Sequence, residues 1–263
     1  MRRFILITLN LLKDFAGAWI FYTVLPKIPK IKPSFNRIAR FAPLIAIITS
    51  LIQGCIWIIF FNFRWPKESL ALLVIASGIF MNGGLHLDGL IDTADGIAAG
   101  KEKQLKAMKD SRIGSIGVLV LISLLMIQIS SLLKLSFYTP IAIIIASFWS
   151  KFASILAINN FQYLHGKSNS ILHKQHWQGL VNEGLISFII IMIYSLLLFI
   201  SPVQENLKYI LFILNIIGLI SAILVTNTLG NYLKGHTGDS YGASVILVET
   251  TMLFFLALML PAI

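Results

Sequence analysis

Charge is scarce in this chain, and acidic charge is scarcest. Only 12% of its 263 residues are charged, where an ordinary soluble domain carries about 25%. Asp and Glu number 11 against 21 Lys and Arg. A water-facing surface cannot be built from so few charges, which excludes a single soluble domain. Cysteine is all but missing. Cys55 stands alone, so no internal disulfide can form; its apolar surroundings make it a small packing residue. The apolar runs show no alternation in segments of about ten residues, which excludes a transmembrane β-barrel. No basic helix or soluble module is present to hold nucleic acid, so that partner is excluded too. The opening MRRFILITLN has a basic flank and an apolar stretch. It lacks the small-residue cleavage site and soluble continuation of a signal peptide, and reads as part of the mature protein.

Hydrophobic residues make up 57% of the chain, with a mean hydropathy of +0.85. Several continuous runs approach the roughly 20 residues that cross a bilayer. The expected fold is all-α: one integral membrane domain over 1–263, a polytopic bundle of about seven spans. The candidate spans are 41–61, 70–82, 114–133, 137–158, 184–201, 207–229 and 243–262. Residues 4–25 are apolar but carry Lys13 and Asp14 near the middle. A charged pair at bilayer depth is costly, so this segment is interfacial, re-entrant or packed against a site. Nothing in the sequence fixes the oligomeric state; a homo-oligomer is allowed.

The net charge is +10 and its placement is uneven. The loops 26–40, 101–112, 159–182 and 230–242 hold most of the interhelical Lys and Arg. The positive-inside bias puts that face in the cytoplasm and membrane lipid around the spans. Asp88, Asp92, Asp95, Asp110 and Asp239 fall in or beside these loops, as do His86, His165, His173, His176 and His236. The opposite face is nearly bare. Transporters need polar groups along a path through the bilayer, whereas an enzyme needs only one decorated face.

The stretch GGLHLDGLIDTADGIAAG, residues 83–100, gathers three of the six aspartates. On a helix, Asp92 lies about 40° to one side of Asp88 and Asp95 about 20° to the other, an arc of about 60°. Carboxylates that close raise one another's pKa unless a cation offsets them. Oxygen-only ligands suit a hard cation such as Mg²⁺, which usually bridges carboxylates to phosphates. Asp88, Asp92 and Asp95 are therefore the expected metal ligands, for chemistry on a phosphate or diphosphate. An EF-hand is excluded, because its spacing and closing Glu are missing.

Residues 101–117, KEKQLKAMKDSRIGSIG, add a basic run. It anchors the cytoplasmic side. Lys109, Ser111 and Arg112 with Gly114 and Gly117 equally make a phosphate clamp, in which glycines let backbone approach a ligand. Near the C-terminus, GHTGDSYGAS (235–244) is a polar glycine loop feeding a helix N-terminus, an anion-binding arrangement that brings in His236. His173 and His176 could be ligands at i, i+3, but no acidic residue sits near them in sequence. They read as interfacial, with Trp177 as a headgroup-level anchor.

Taken together, GGLHLDGLIDTADGIAAG, MKDSRIGSIGVL and GHTGDSYGA resemble the cobalamin synthase family, the adenosylcobinamide-GDP ribazoletransferases. FYTVLPKIP resembles the family's early Pro-containing stretch, and the similarity runs in order along nearly the whole chain. Lys151-Phe152, after SFWS, stands where the resemblance leads one to expect an arginine-containing string. Residues 159–176 also look unusual, and neither stretch is given a catalytic role. The resemblance implies a Mg²⁺-dependent enzyme of a bacterial inner membrane, with its active face cytoplasmic. It would join adenosylcobinamide-GDP to α-ribazole or its 5′-phosphate and release GMP, the ribazole 5′-hydroxyl attacking phosphorus. Lys109, Ser111, Arg112 and His236 would bind substrate. Asp95, Asp110, His86 and Asp239 are candidate bases, unranked. Two other readings stay open: a membrane phosphotransferase of the CDP-alcohol type, and a cation-coupled transporter using the Asp cluster.

Overall fold

The computed structural model describes residues 2–164, 176–201 and 205–260. Its described residues are helical, apart from turns, loops and one isolated bridge between Tyr163 and His236. The helices are α1 (Arg2–Tyr22), α2 (Ala42–Asn62), α3 (Lys67–Asn82), α4 (Leu85–Ala98), α5 (Gln104–Ala107), α6 (Ser115–Leu135), α7 (Thr139–Asn160), α8 (Leu180–Ile200), α9 (Glu205–Leu233) and α10 (Gly238–Met259).

Five helical stretches among the described residues are long and apolar enough to cross a membrane, and six if α3 and α4 count as one bent span. One of the five, Ser115–Asn160, contains both α6 and α7, joined by a 3-10 turn at Ser136–Tyr138. Each of the two has more than 20 residues, so each alone matches the ~30 Å hydrocarbon thickness. The expected seven spans is thus an approximate figure. Large apolar side chains such as Phe80, Met126 and Phe199 face outward, as lipid contact requires.

α7 and α10 form the centre of the bundle, with α2, α4, α6 and α9 packed around them. Small residues permit the closeness. Ala142, Ala146 and Ala153 of α7 are fully buried beside Val248, Met252 and Leu256 of α10. Without a hydrophobic force between helices in lipid, such tight van der Waals packing is the main source of association.

Two features position the site. Gly83 (φ 62°) and Gly84 (φ 73°) adopt the left-handed backbone that favours glycine. They end α3 and turn α4 through 89°. We read α4 as running across the end of the bundle instead of continuing through the bilayer. The second is the N-terminus of α10. Thr237 and Ser240 form a reciprocal capping box, each side chain bonded to the other's backbone N–H.

The charged pair inside residues 4–25 also has its explanation. Asp14 is buried, and its carboxylate accepts from Ser34 Oγ at 2.6 Å and from the Arg40 guanidinium. α1 is not among the stretches apolar enough to span. It packs against Ile38–Phe41 and the start of α2, on the side of the bundle that carries Asp14 and Arg40.

Candidate active site

α4 bears the acidic face. Its helical form over 85–98 puts Asp88, Asp92 and Asp95 on successive turns. Gly89 lies against the Asp239 backbone; a Cβ there would come within 2.6 Å of the Asp239 carbonyl oxygen. Gly242 of α10 abuts the His86 backbone in the same way, at 3.2 Å. These two contacts let α4 and α10 approach closely enough to bring a fourth carboxylate, Asp239, to the cluster. Burial first, then Asp88, Asp239 and Asp95, push the Asp92 carboxyl up to about 6. A cavity of about 140 Å³ opens beside this cluster, lined by His86, Asp88, Asp239, Tyr241, Tyr22 and Ser154.

The cluster's three α4 aspartates are not equivalent. Asp95 accepts hydrogen bonds from Gly114 N at 2.7 Å and Gly117 N at 2.8 Å, one to each oxygen. It thereby satisfies two of the free N–H groups at the start of α6. The glycines expected to admit a phosphate instead admit this carboxylate. A Cβ on Gly117 would lie 2.7 Å from Asp95 Oδ2, and one on Gly114 would collide with the same group.

The basic clamp is likewise engaged with protein. Arg112 grips Asp110 in a two-pronged pair, Nε–Oδ1 at 3.0 Å and the other prong at 2.7 Å. That hydrogen-bonded contact holds the Asp110 carboxyl down at about 2. The pair lies at the surface, and Lys109 and Ser111 beside it are exposed. His236 is fully buried. Its Nε2 meets the Thr226 carbonyl at 3.1 Å and its Nδ1 meets Ser240 Oγ at 2.9 Å. A carbonyl only accepts, so Nε2 carries a hydrogen. Its ring is stacked on Tyr241 and edge-on to Phe161. His236 thus supports the α10 loop from within. Trp177, expected at headgroup level, packs on the buried cluster of Ala39, Ala157, Ile158 and Tyr241. His176 is exposed nearby, while His165 and His173 lie outside the described residues.

His86 is buried and meets a partner that sequence reading missed. Lys151 Nζ of α7 contacts the imidazole ring nitrogens, 3.1 Å from Nδ1. Lys151 and Glu249 of α10 line an inner cavity of about 80 Å³ together with His86, Gln53, Gln128 and Ser147. Glu249 accepts from Ser147 Oγ at 3.2 Å. His86 and Tyr22 belong to both this cavity and the one beside Asp239. The signal was present in sequence: ionisable residues in apolar spans are rare and mark function by default.

Among the described residues, no three His, Cys, Asp or Glu groups stand ready around one metal position. The donor set still suits Mg²⁺, which usually takes one or two carboxylates and leaves the rest of its shell to water and phosphate. The like charges that raise Asp92 supply the electrostatic demand for a cation.

Known proteins show the same arrangement of sequence. A family model described as Cobalamin-5-phosphate synthase matches residues 14–257. The adenosylcobinamide-GDP ribazoletransferase of Prochlorococcus marinus is 45% identical over 258 residues, 96% of this chain and 98% of that protein. The protein of that name from Trichormus variabilis is 32% identical over 260 residues, covering 97% and 98% of the two chains. No solved structure matches. With the family model matching nearly end to end and relatives aligned over almost their whole length, the chain belongs to the cobalamin-5-phosphate synthase family.

Proposed function

We propose that this protein joins adenosylcobinamide-GDP to α-ribazole or its 5′-phosphate and releases GMP, in cobalamin biosynthesis. The observation that carries the reading is the meeting of Asp88 and Asp92 on α4 with Asp239 on α10 beside an open cavity. The family membership names the reaction. Asp88 and Asp92 are the carboxylates we assign to Mg²⁺. When bound there, the ion would neutralise the diphosphate and stabilise charge on the departing GMP.

The candidate bases separate by their contacts. Asp95 is tied to the α6 backbone, and Asp110 is held ionised by Arg112 at the surface. Burial of the His86 ring, and Lys151 Nζ against its nitrogens, disfavour the protonated imidazole that a base would become. Asp239 lines the cavity with Asp88, and we assign it the proton. An acceptor hydroxyl attacks the phosphorus on the cobinamide arm, its proton passes to Asp239, and the P–O bond to GMP breaks. The family's description specifies a 5-phosphate. An acceptor that keeps this group must attack through a different ribose hydroxyl, so the 5′-hydroxyl expected from sequence is replaced in this proposal. The basic loops on the same side of the chain support a bacterial inner-membrane protein whose active face is cytoplasmic.

The test is direct. Purified protein is supplied with adenosylcobinamide-GDP, Mg²⁺ and, in turn, α-ribazole or its 5′-phosphate, and GMP is measured. Release that needs donor, acceptor and Mg²⁺ supports the assignment, and no release with either acceptor refutes it.

A further inference from the structure

A second cavity, of about 710 Å³, lies between α1, the 34–40 segment and residues 176–178. Its size is within the roughly 300–1,000 Å³ of small-molecule sites. Lys13, Arg37, Arg40, Asn36 and Trp177 line it, together with Asp14. The charges are only partly cancelled. Arg40 pairs with Asp14, and Arg37 pairs with Glu183 at 2.6 Å. Three cations therefore face two carboxylates. Arg37 is close enough to Arg40 to act on it electrostatically. Arg40 is only 7% exposed, and its Nε–H has no partner among the described residues. Burying a guanidinium beside another cation with a donor unmet is costly. An anion in the cavity would offset that cost.

This cavity adjoins the acidic one. Trp177 lines it and packs on the buried cluster of Ala39, Ala157, Ile158 and Tyr241, two of whose members, Ile158 and Tyr241, line the Asp88–Asp239 cavity. Its indole is fixed by a hydrogen bond from Nε1 to Asn159 Oδ1 at 3.2 Å. One side of the site is thus acidic, and the adjoining side is basic and aromatic.

The reaction proposed above, on which this inference rests, sorts its phosphates by the same division. The donor's diphosphate contains the bond that breaks, so the phosphate of GMP must sit at the acidic, cation-holding side. A terminal phosphate monoester that takes no part in the chemistry carries close to two negative charges at neutral pH. The aspartates would repel it. We propose that the Lys13–Arg37–Arg40 cavity binds the phosphate monoester of the acceptor, α-ribazole 5′-phosphate, with Trp177 beside its aromatic base. It gives α1 a function in substrate selection. It also makes discrimination between the phosphorylated and free acceptor a property of residues remote from the aspartates.

The test is equilibrium binding to the full-length protein in detergent, by isothermal titration, with α-ribazole 5′-phosphate, α-ribazole and GMP as separate ligands. Wild type is expected to prefer the phosphorylated acceptor by about tenfold or more, the value of a charge-assisted contact. Lys13 is exposed, so its substitution spares the core. Lys13→Gln should cut the preference severalfold, Lys13→Glu should abolish it, and Lys13→Arg should keep it. No preference in wild type, or one unchanged in Lys13→Glu, overturns the inference. So does a Lys13→Glu effect confined to GMP, which would assign the cavity to the guanylate. GMP release by wild type from adenosylcobinamide-GDP is measured in parallel with each acceptor. Its absence with both refutes the reaction itself, whereas turnover without phosphate preference refutes only the cavity assignment.

Discussion

Lys151 Nζ stands 3.1 Å from His86 Nδ1, joining α7 to α4 across 65 residues of sequence. The same ammonium shares its inner cavity with Glu249 of α10. One lysine of α7 therefore touches α4 and faces the same cavity as α10. A cation in an apolar span survives only with partners, and here the partners belong to the helices carrying Asp88 and Asp239. The Lys151 contact holds α4 to α7, and the Gly89–Asp239 approach holds α4 to α10.

Replacing Lys151 with Met should destabilise the protein, because it removes the contact with His86 and leaves Glu249 without the basic group that shares its cavity. Removing one of two opposite buried groups is more costly than replacing both. The double variant Lys151→Met/Glu249→Gln should regain a large part of the loss. Thermal unfolding in detergent of the single and double variants gives the comparison. Equal midpoints for the two would show that Lys151 and Glu249 act independently.

Gly117→Ala should separate α4 from α6. Its methyl would crowd Asp95 Oδ2 and the Ile91 side chain, each at 2.7 Å, and overpacking of this kind costs about 1–3 kcal/mol. Gly184→Ala is the control, since its Cβ would meet only a Leu180 methyl at 3.8 Å. That change should be neutral or stabilise by up to about 1 kcal/mol through helix propensity. Urea or thermal melts of the two variants decide it. A Gly117→Ala protein as stable as wild type would mean that Asp95 is not the contact joining the helices.

The acidic face was legible in sequence because helical periodicity alone groups Asp88, Asp92 and Asp95. Their separate roles were not, since these depend on contacts remote in the chain. Asp95 meets backbone N–H groups 19 and 22 residues later, and His86 meets Lys151. Nor does spacing show that His236 has both ring nitrogens engaged, because its partners lie on two different helices. Lys13-Asp14 looked out of place in an apolar run until Arg40 supplied a counter-ion 26 residues on. The seven apolar runs were visible, but hydropathy could not show that α3 and α4 bend through 89° at Gly83-Gly84.

The contact between Arg112 and Asp110 makes a prediction about pH. A carboxyl held at about 2 stays ionised until the pH falls through that value, so it contributes no titration between pH 4 and 8. The acidic limb of kcat/KM should therefore keep its position in Asp110→Asn. Stability should barely change, because solvent screens an exposed pair. A limb displaced by that substitution would make Asp110 the titrating base and remove the assignment to Asp239.

Asp92→Asn tests the cation site without relying on turnover. Burial first, and then the crowding of Asp88, Asp239 and Asp95, raise the Asp92 carboxyl to about 6. The fold therefore disfavours the ionised form, and this group opposes stability as the pH rises from its ordinary range through about 6. At pH 7.5 without metal, the amide removes that repulsion, so the variant should melt at or above the wild-type temperature. Mg²⁺ should reverse the order. A ligand at a hundred times its Kd stabilises the native state by about 2.7 kcal/mol, an increment wild type should show and Asp92→Asn should lose with most of its GMP release. Equal Mg²⁺ stabilisation of both proteins would place the cation elsewhere. A variant that melts lower than wild type without metal would mean that Asp92 supports the fold directly. The assignment therefore depends on both signs: a gain of stability without the ion and the loss of its effect when present.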